Sequence, residues 1–589
     1  MLLSLGQYHN KFEVPFLIDT ERFFIKEGQA MVQISDPADF LIHIERRLAE
    51  AVEMTNRYLD VSTKAPLLQK IEDALLKPHV STIAERGLTS LLETYRLGDL
   101  RRMYLLLDRV NSTEMLKLEW IKYVRRLGEN LATDSTKEKT LIEEWLIFYD
   151  RMETILRQSF GNNDPFKKAL RQAFEYFLNI TPGKTAELLV KYVDRKMRGE
   201  KDRQEQETDR SFDRIMTIFQ FMQSKDVFEA FYKKSLAKRL LYGKSASTEL
   251  EKSMISRLKA ECGANYTAKL EGMFSDVDMS TEVGNGFKIF LAENDKDNEN
   301  EDKDKDSSSS NSNSNSSNRS SDVNDMQVSK AIVGANHHSH SKSIECAVQV
   351  LTVGFWPINP PAKPVSIPPS IQLMKDKFET YYLQKYQGRR LVWAHSVERC
   401  LVTARFLKGK KELELSLYQA LCLICFGNTT NEKGQMGFRD ILEATNIDDE
   451  ELRRTLQSLA CGIIGTRVLT KHPKGKDVND SDTFTPNKDF THKMFRIKIN
   501  SIQLKETTED TEKTHEEVFR DRQYQVDAVV VRTMKVRKRI SHVNLMGELL
   551  SQLTFPANTK DLKNRIESLI ERDYLARDPD DQTIFNYIA

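Results

Sequence analysis

Cysteine is scarce: the 589 residues hold six, at 262, 346, 400, 422, 425 and 461, with no regular spacing. That excludes a disulfide framework and predicts reduced thiols in a reducing compartment. Glycine (24) and proline (16) are also few, which argues against many short strands joined by tight turns. No run reaches the ~18 apolar residues that a membrane-spanning helix needs. The opening MLLSLGQYHN has no basic segment ahead of an apolar one. Net charge is missing too. Lys and Arg number 88 against 87 Asp and Glu, so affinity for nucleic acid or a membrane would have to come from a local patch. Together these absences predict a soluble protein of the nucleus and cytoplasm with no membrane partner.

Charged side chains are plentiful, at 30% of the chain, a composition suited to long surface-charged helices. At about 150 residues per domain, the length predicts three to five domains. From Phe40 to Phe177 apolar residues recur at helical spacing, as in Ile42, Leu48 and Val52, or Tyr104, Leu107 and Leu118. Breaks expected at Lys77-Pro78, Gly87, Gly98, Asp134-Ser135 and Asp164-Pro165 divide the stretch into helices of ordinary length. Thr181-Pro182-Gly183 punctuates it, and a second helical bundle is expected from about residue 183.

Residues 293–345 differ in kind. Glu293 to Asp306 holds eight acids and three lysines, and Ser307 to Ser321 contains only Ser, Asn and one Arg. Such a segment cannot bury a core, so it reads as a disordered surface insertion. His337, His338 and His340 within it read as incidental. Strand-like runs follow: AVQVLTV (347–353), RLVWAH (390–395), LVTARF (401–406) and MFRIKIN (494–500), with helical patterns at 416–426, 438–445 and 449–461. The chain ends helix (521–540), helix (543–553), helix (559–573), then YLAR and TIFNYI around Asp578-Pro579-Asp580-Asp581, the order of a winged helix. The fold class is therefore mainly α, with an α/β region and a C-terminal winged helix.

Fragments of catalytic motifs are incomplete. Gly243-Lys244-Ser245 resembles the end of a phosphate-binding loop, but the required earlier Gly falls on Lys238, and a helix C-terminal Gly explains it better. His515-Glu516 begins a zincin-like motif whose second His position is Phe519. Cys422 and Cys425 form a CxxC inside LYQALCLICF, where buried core thiols are the better reading. No catalytic residue, metal site or cofactor is expected. Two basic stretches stand out. In KDVFEAFYKKSLAKRLL, Lys233, Lys234, Lys238 and Arg239 take the polar side of a helix. In RTMKVRKR, Arg532, Lys535 and Arg539 are spaced to share one exposed face. The third helix of the winged helix carries as many acids as bases, which removes the usual electrostatic support for DNA contacts.

VVRTMKVRKR, DRQYQVDA, KDLKNRIESLIERDYLARD and the terminal Tyr587-Ile588-Ala589 resemble the C-terminal signature of cullins. So do KDVFEAFYKKSLAKRLL, SMISRLKAECGANYTAKLEGMFSDV and VQVLTVGFWP, while ELRRTLQSLACG, HPKGKDVNDSDTF and HKMFRIKIN are similar to the cullin-4 class. The resemblance implies an N-terminally shortened cullin-repeat region (1–182), a four-helix bundle (183–292), the insertion (293–345), an α/β region with a winged-helix module (346–505) and a C-terminal winged helix (515–589).

It also implies a non-catalytic scaffold of a cullin-RING ubiquitin ligase in ubiquitin-dependent protein degradation, activated by neddylation. A RING-box protein would pair a strand with the α/β region, for which Leu391, Val392, Trp393, Leu401, Val402 and Phe406 are candidates. That subunit would hold any zinc and bring the ubiquitin-conjugating enzyme, which Lys233, Lys234, Lys238 and Arg239 are candidates to steer. Nedd8 would join Lys535 by an isopeptide bond, with Lys538 the alternative acceptor; Thr533 and Val536 replace the usual Ile and Met beside it. A β-propeller adaptor of the damaged-DNA-binding type is the remaining implied partner. The second reading is a winged-helix nucleic-acid-binding protein, and a nucleotide hydrolase built on the GKS fragment is a distant third.

Overall fold

The computed structural model describes residues 6–133, 138–199, 205–305, 344–358, 363–427, 434–462, 464–499 and 508–588. They form two compact units, one of Met1–Tyr232, Ala246–Arg257 and Val518–Ala589, the other of Lys233–Ser245 and Leu258–Glu517. The mainly α fold class is borne out.

In the first unit, α1 (Val14–Ile34), α2 (Pro37–Tyr58) and α3 (Lys64–Leu75) open a helical array. It continues through the single turn α4 (Val80–Thr82), α5 (Leu88–Glu93), α6 (Leu97–Arg109), α7 (Thr113–Thr133), α8 (Leu141–Gln158), α9 (Asp164–Leu178), α10 (Lys184–Met197) and α11 (Glu205–Phe221). The apolar positions three and four apart are the buried ones, for example Phe166, Ala169, Leu170, Ala173, Phe174 and Phe177 of α9. Pro37 and Pro165 sit in first helical turns, where a missing N–H forfeits no bond. Gly87 does not break the chain as expected. A π-helical stretch, Ile83–Gly87, joins α4 to α5, and a Cβ at Gly87 would lie 3.0 Å from Met103 and 3.1 Å from Pro37. This glycine is there for close packing. Gly98 likewise sits inside the first turn of α6.

Next come α12 (Lys225–Tyr242) and α13 (Thr248–Cys262). Gly243 follows α12 with φ +57°, the left-handed helix end expected of it in place of a phosphate loop.

The second unit is built on α14 (Ala264–Lys305) and α15 (Pro369–Lys385), whose Val283, Phe287, Phe378 and Tyr382 share a core. Here the sequence reading is corrected. Glu293–Lys305, taken for the start of a disordered insertion, continues α14. It contains neither Pro nor Gly, so nothing in it stops the helix that enters it. The Ser/Asn tract and His337, His338 and His340 lie outside the described residues.

Beyond α15, β1 (Arg399–Phe406) and β2 (Gly409–Ser416) form an antiparallel hairpin. Then follow α16 (Leu417–Gly427), β3 (Met436–Gly437), α17 (Phe438–Thr445), α18 (Asp449–Ala460), β4 (Leu469–His472), β5 (Thr483–Pro486) and β6 (Arg496–Lys498). One sheet has the order β1-β2-β6, the other β3-β5-β4. Leu413, Leu421, Ile441, Leu456, Phe484 and Ile497 tie both to the helices in one core. Cys422 lies in that core, its thiol pushed up by burial, as a structural cysteine.

The chain ends with α19 (Thr508–Arg537), β7 (Arg539–Ser541), α20 (His542–Gln552), α21 (Thr559–Glu571), β8 (Leu575–Arg577) and β9 (Ile584–Tyr587), with sheet order β7-β9-β8. Val530, Met534, Leu545, Leu549, Ile566, Leu569 and Phe585 fill its core. The expected winged-helix order is present, with one correction. Lys538 adopts φ +63° and ends α19, so Arg539 belongs to β7 and does not share a helical face with Arg532 and Lys535.

Candidate functional site

Two of the strand-like runs form no ladder. Residues 344–352 and 390–394 carry no strand pairing among the described residues, and Val353 makes only an isolated bridge to Trp356. They are rich in Val, Leu and Trp, so their local preference is met, but a strand also needs a neighbour. Val348, Val350, Leu391 and Trp393 pack onto the α14–α15 core, which holds both segments in place without pairing them.

Beside them β1 is an edge strand. Leu417 N–H donates to Glu398 O (3.0 Å), which sets the alternation of the β1–β2 ladder. Cys400, Val402, Ala404 and Phe406 therefore turn their main chain to β2, whereas Leu401, Thr403 and Arg405 turn theirs to the open edge. On the segment at 344–353, Val350 and Thr352 direct their N–H groups to α14. Alternation then turns Gln349 and Leu351 the other way, and neither has a main-chain partner among the described residues. Both segments, β1 and Val468 and Leu469 line one groove of about 2160 Å³. It is an apolar slot with bare main chain along its rims.

Of the residues singled out for this region, Val392 (58% exposed) and Leu401 (53%) are open, while Leu391 and Trp393 pack onto the α14–α15 core. Val402 and Phe406 point into the core below β1. A charged cluster lies among them. The buried Lys375 Nζ donates to both oxygens of Glu398 (2.9 and 2.8 Å), approaches His395 Nδ1 (3.1 Å) and lies 4.8 Å from the Trp393 ring centroid. Burial pushes the Glu398 carboxyl up, but hydrogen bonds from His395 and Lys375 outweigh it and hold it below its ordinary range. Burial also raises the Cys400 thiol to about 11, which keeps it protonated and unreactive.

The second candidate is the basic end of α19. Its neighbours are engaged: Arg532 reaches Gln552 (3.3 Å), Arg537 pairs with Glu548 (3.0 Å) and Arg539 with Asp578 (2.8 Å). Lys538 lies 4.8 Å from the Tyr587 ring centroid, and its carbonyl accepts from Tyr587 N–H (2.9 Å). Lys535 is exposed and makes no hydrogen bond or ion pair among the described residues. Below it, Thr533 and Met534 are buried and fix the helix face. The third helix is occupied as well. Arg565 and Arg572 both bond Asp527, at 2.5 and 2.7 Å, so these cations are not aimed at phosphates.

The basic face expected on α12 is not a solvated one. Arg239 is wholly buried, and Lys233, Lys234 and Lys238 are half-buried. Lys234 donates to Thr514 and Glu517, both at 2.9 Å. Apolar Val227, Phe228, Phe231, Tyr232, Leu236 and Ala237 cover so much of the helix surface that the polar positions are drawn under cover with them.

Comparison with known proteins places both candidates in matched domains. Residues 1–284 match the cullin alpha solenoid domain, 350–490 the cullin alpha+beta domain and 521–581 the cullin protein neddylation domain. Most of the groove's lining, though not Ile344–Gln349, falls in the second match and Lys535 in the third. The chain is 42% identical to Cullin-4A of Mus musculus and 41% identical to Cullin-4A of Homo sapiens, in each case over 100% of this chain and 71% of the relative. Cullin-4 of Dictyostelium discoideum is 36% identical over the same shares. The chain belongs to the cullin family, the scaffolds of cullin-RING ubiquitin ligases.

Proposed function

We propose that the groove beside β1 receives one strand of a RING-box protein, and that the scaffold thereby carries a ubiquitin-conjugating enzyme toward substrate. One observation carries this reading: the slot is bordered by two extended main chains, Leu401–Arg405 and Gln349–Leu351, whose outward groups lack partners among the described residues. A strand entering there gains main-chain bonds on its flanks and buries apolar side chains below, which is strand addition in its strongest form. Such a strand must be short, apolar and free of proline within the slot. Bond-making chemistry belongs to the enzymes that are brought in, and the chain itself is non-catalytic.

Lys535 is the Nedd8 acceptor in this reading. The free amine is the one that can be presented to a thioester without first breaking a contact, whereas Lys538 must leave the Tyr587 ring. The steering role expected of the α12 cations is narrowed to Lys233 and Lys238, since Arg239 is inside and Lys234 is paired with Glu517. Mixing the full chain with a RING-box subunit should give one co-eluting complex that supports modification of the wild type. Separate elution of two folded proteins contradicts the groove reading, and full modification of Lys535→Arg contradicts the acceptor.

A further inference from the structure

The extended segment at 344–353 is held along its far edge by a helix acting in place of a strand. Three positions on α14, spaced four apart, meet it in antiparallel order. At Gly272 a Cβ would lie 2.6 Å from the Phe355 ring, so only glycine admits that ring. At the buried Asp276, Oδ2 accepts from Thr352 N–H (2.7 Å) and Trp356 Nε1–H (2.7 Å), and Oδ1 accepts from the Thr352 hydroxyl (2.8 Å). At the buried Ser280, Oγ accepts from Val350 N–H (2.8 Å) and lies 3.1 Å from Val350 O.

The spacings explain the fit. Four residues of helix advance about 6.0 Å and two residues of strand about 6.6–6.8 Å, so side chains at i and i+4 of a helix serve main-chain groups at j and j−2 of a strand. With those groups satisfied at Val350 and Thr352, only the alternate set, at Gln349 and Leu351, is left for another chain.

We infer that Asp276 and Ser280 are positioning residues for the partner-strand slot: they hold the segment at 344–353 extended and in register while its other edge stays open. The inference rests on the groove reading above and adds to it the device that keeps the groove from closing or collapsing. They touch no partner atom themselves.

Residue-resolved amide exchange on the full chain, alone and with a RING-box subunit, tests it. Alone, Val350 and Thr352 amides exchange slowly and those of Gln349 and Leu351 fast; with the subunit, the second pair becomes slow. Ser280→Ala speeds exchange at Val350 and weakens capture of the subunit about tenfold, and Asp276→Ala, which leaves the Thr352 and Trp356 N–H groups without an acceptor, weakens it at least as much. In both variants protection in α16 and α18 is unchanged, and Ser280→Thr, which keeps the hydroxyl, binds like wild type. Wild-type capture by Ser280→Ala and Asp276→Ala would overturn the positioning role while leaving the groove reading intact. Slow exchange at Val350 and Thr352 with no protection of Gln349 and Leu351 on adding the subunit would overturn the groove reading and the positioning role with it.

Discussion

The α/β region and the C-terminal module are both apolar cores covered by helices and short strands, yet they are unfinished in different ways. In the C-terminal module β7, β9 and β8 pair in one sheet and Asp527 absorbs two arginines of α21, while the amine of Lys535 stands exposed with no hydrogen bond or ion pair among the described residues. In the α/β region it is main chain that remains over, since β1 ends its sheet and 344–352 and 390–394 have no ladder among the described residues. The lesson is about partners. A bare amine suits a covalent bond to a small modifier, and a bare strand edge suits a lasting subunit that completes the fold.

The most complete effect is expected at the amine. Lys535→Arg abolishes Nedd8 attachment in a reconstituted assay read by mass shift, and Lys538→Arg preserves it. At the strand edge, Thr403→Pro removes an outward N–H and sets a ring in the slot, so RING-box affinity in calorimetry falls on the order of a thousandfold with the fold intact. Val402→Pro, whose N–H faces β2, should instead lower stability by about 3 kcal/mol in denaturant titration. If the two prolines behave alike, the alternation assigned to β1 is wrong.

Lys375→Met should follow, with a loss of about 1–3 kcal/mol in the same titration, because the half-buried Glu398 is left without its cation. The smallest effect concerns acid. Glu398 has a folded value below the ordinary carboxyl value of 4.5, so the folded protein binds fewer protons than the unfolded chain between the two. Its contribution is complete above that ordinary value and is lost as pH falls through the folded one. Glu398→Gln is therefore destabilised relative to wild type near neutral pH and converges with it as pH falls through the folded value. A difference that grows on acidification would contradict the sign.

Much of this was legible in the residues. Helical periodicity anticipated the array, LVTARF anticipated β1 and the order of the last elements anticipated the winged helix, because each depends on local pattern alone. AVQVLTV and RLVWAH read as strands for sound reasons, but pairing is a property of neighbours that a single sequence does not contain. Arg239 failed for a related cause: a helical wheel gives the polar side, and only packing tells whether that side meets water. Gly87 and Arg539 failed at element ends, where a π-helical stretch and one left-handed residue decide the path. The Gly272, Asp276, Ser280 row did leave a trace, small and polar residues four apart in a long helix. The Lys375–Glu398 pair left none, since its partners stand 23 residues apart on separate elements.

Entry of a partner strand between β1 and the segment at 344–353 is tested most directly by a structure of the full chain bound to a RING-box subunit. It should contain one partner strand bonded on one side to the main chain of Leu401, Thr403 and Arg405 and on the other to that of Gln349 and Leu351. A bound subunit seated elsewhere, with the slot still open, would contradict it.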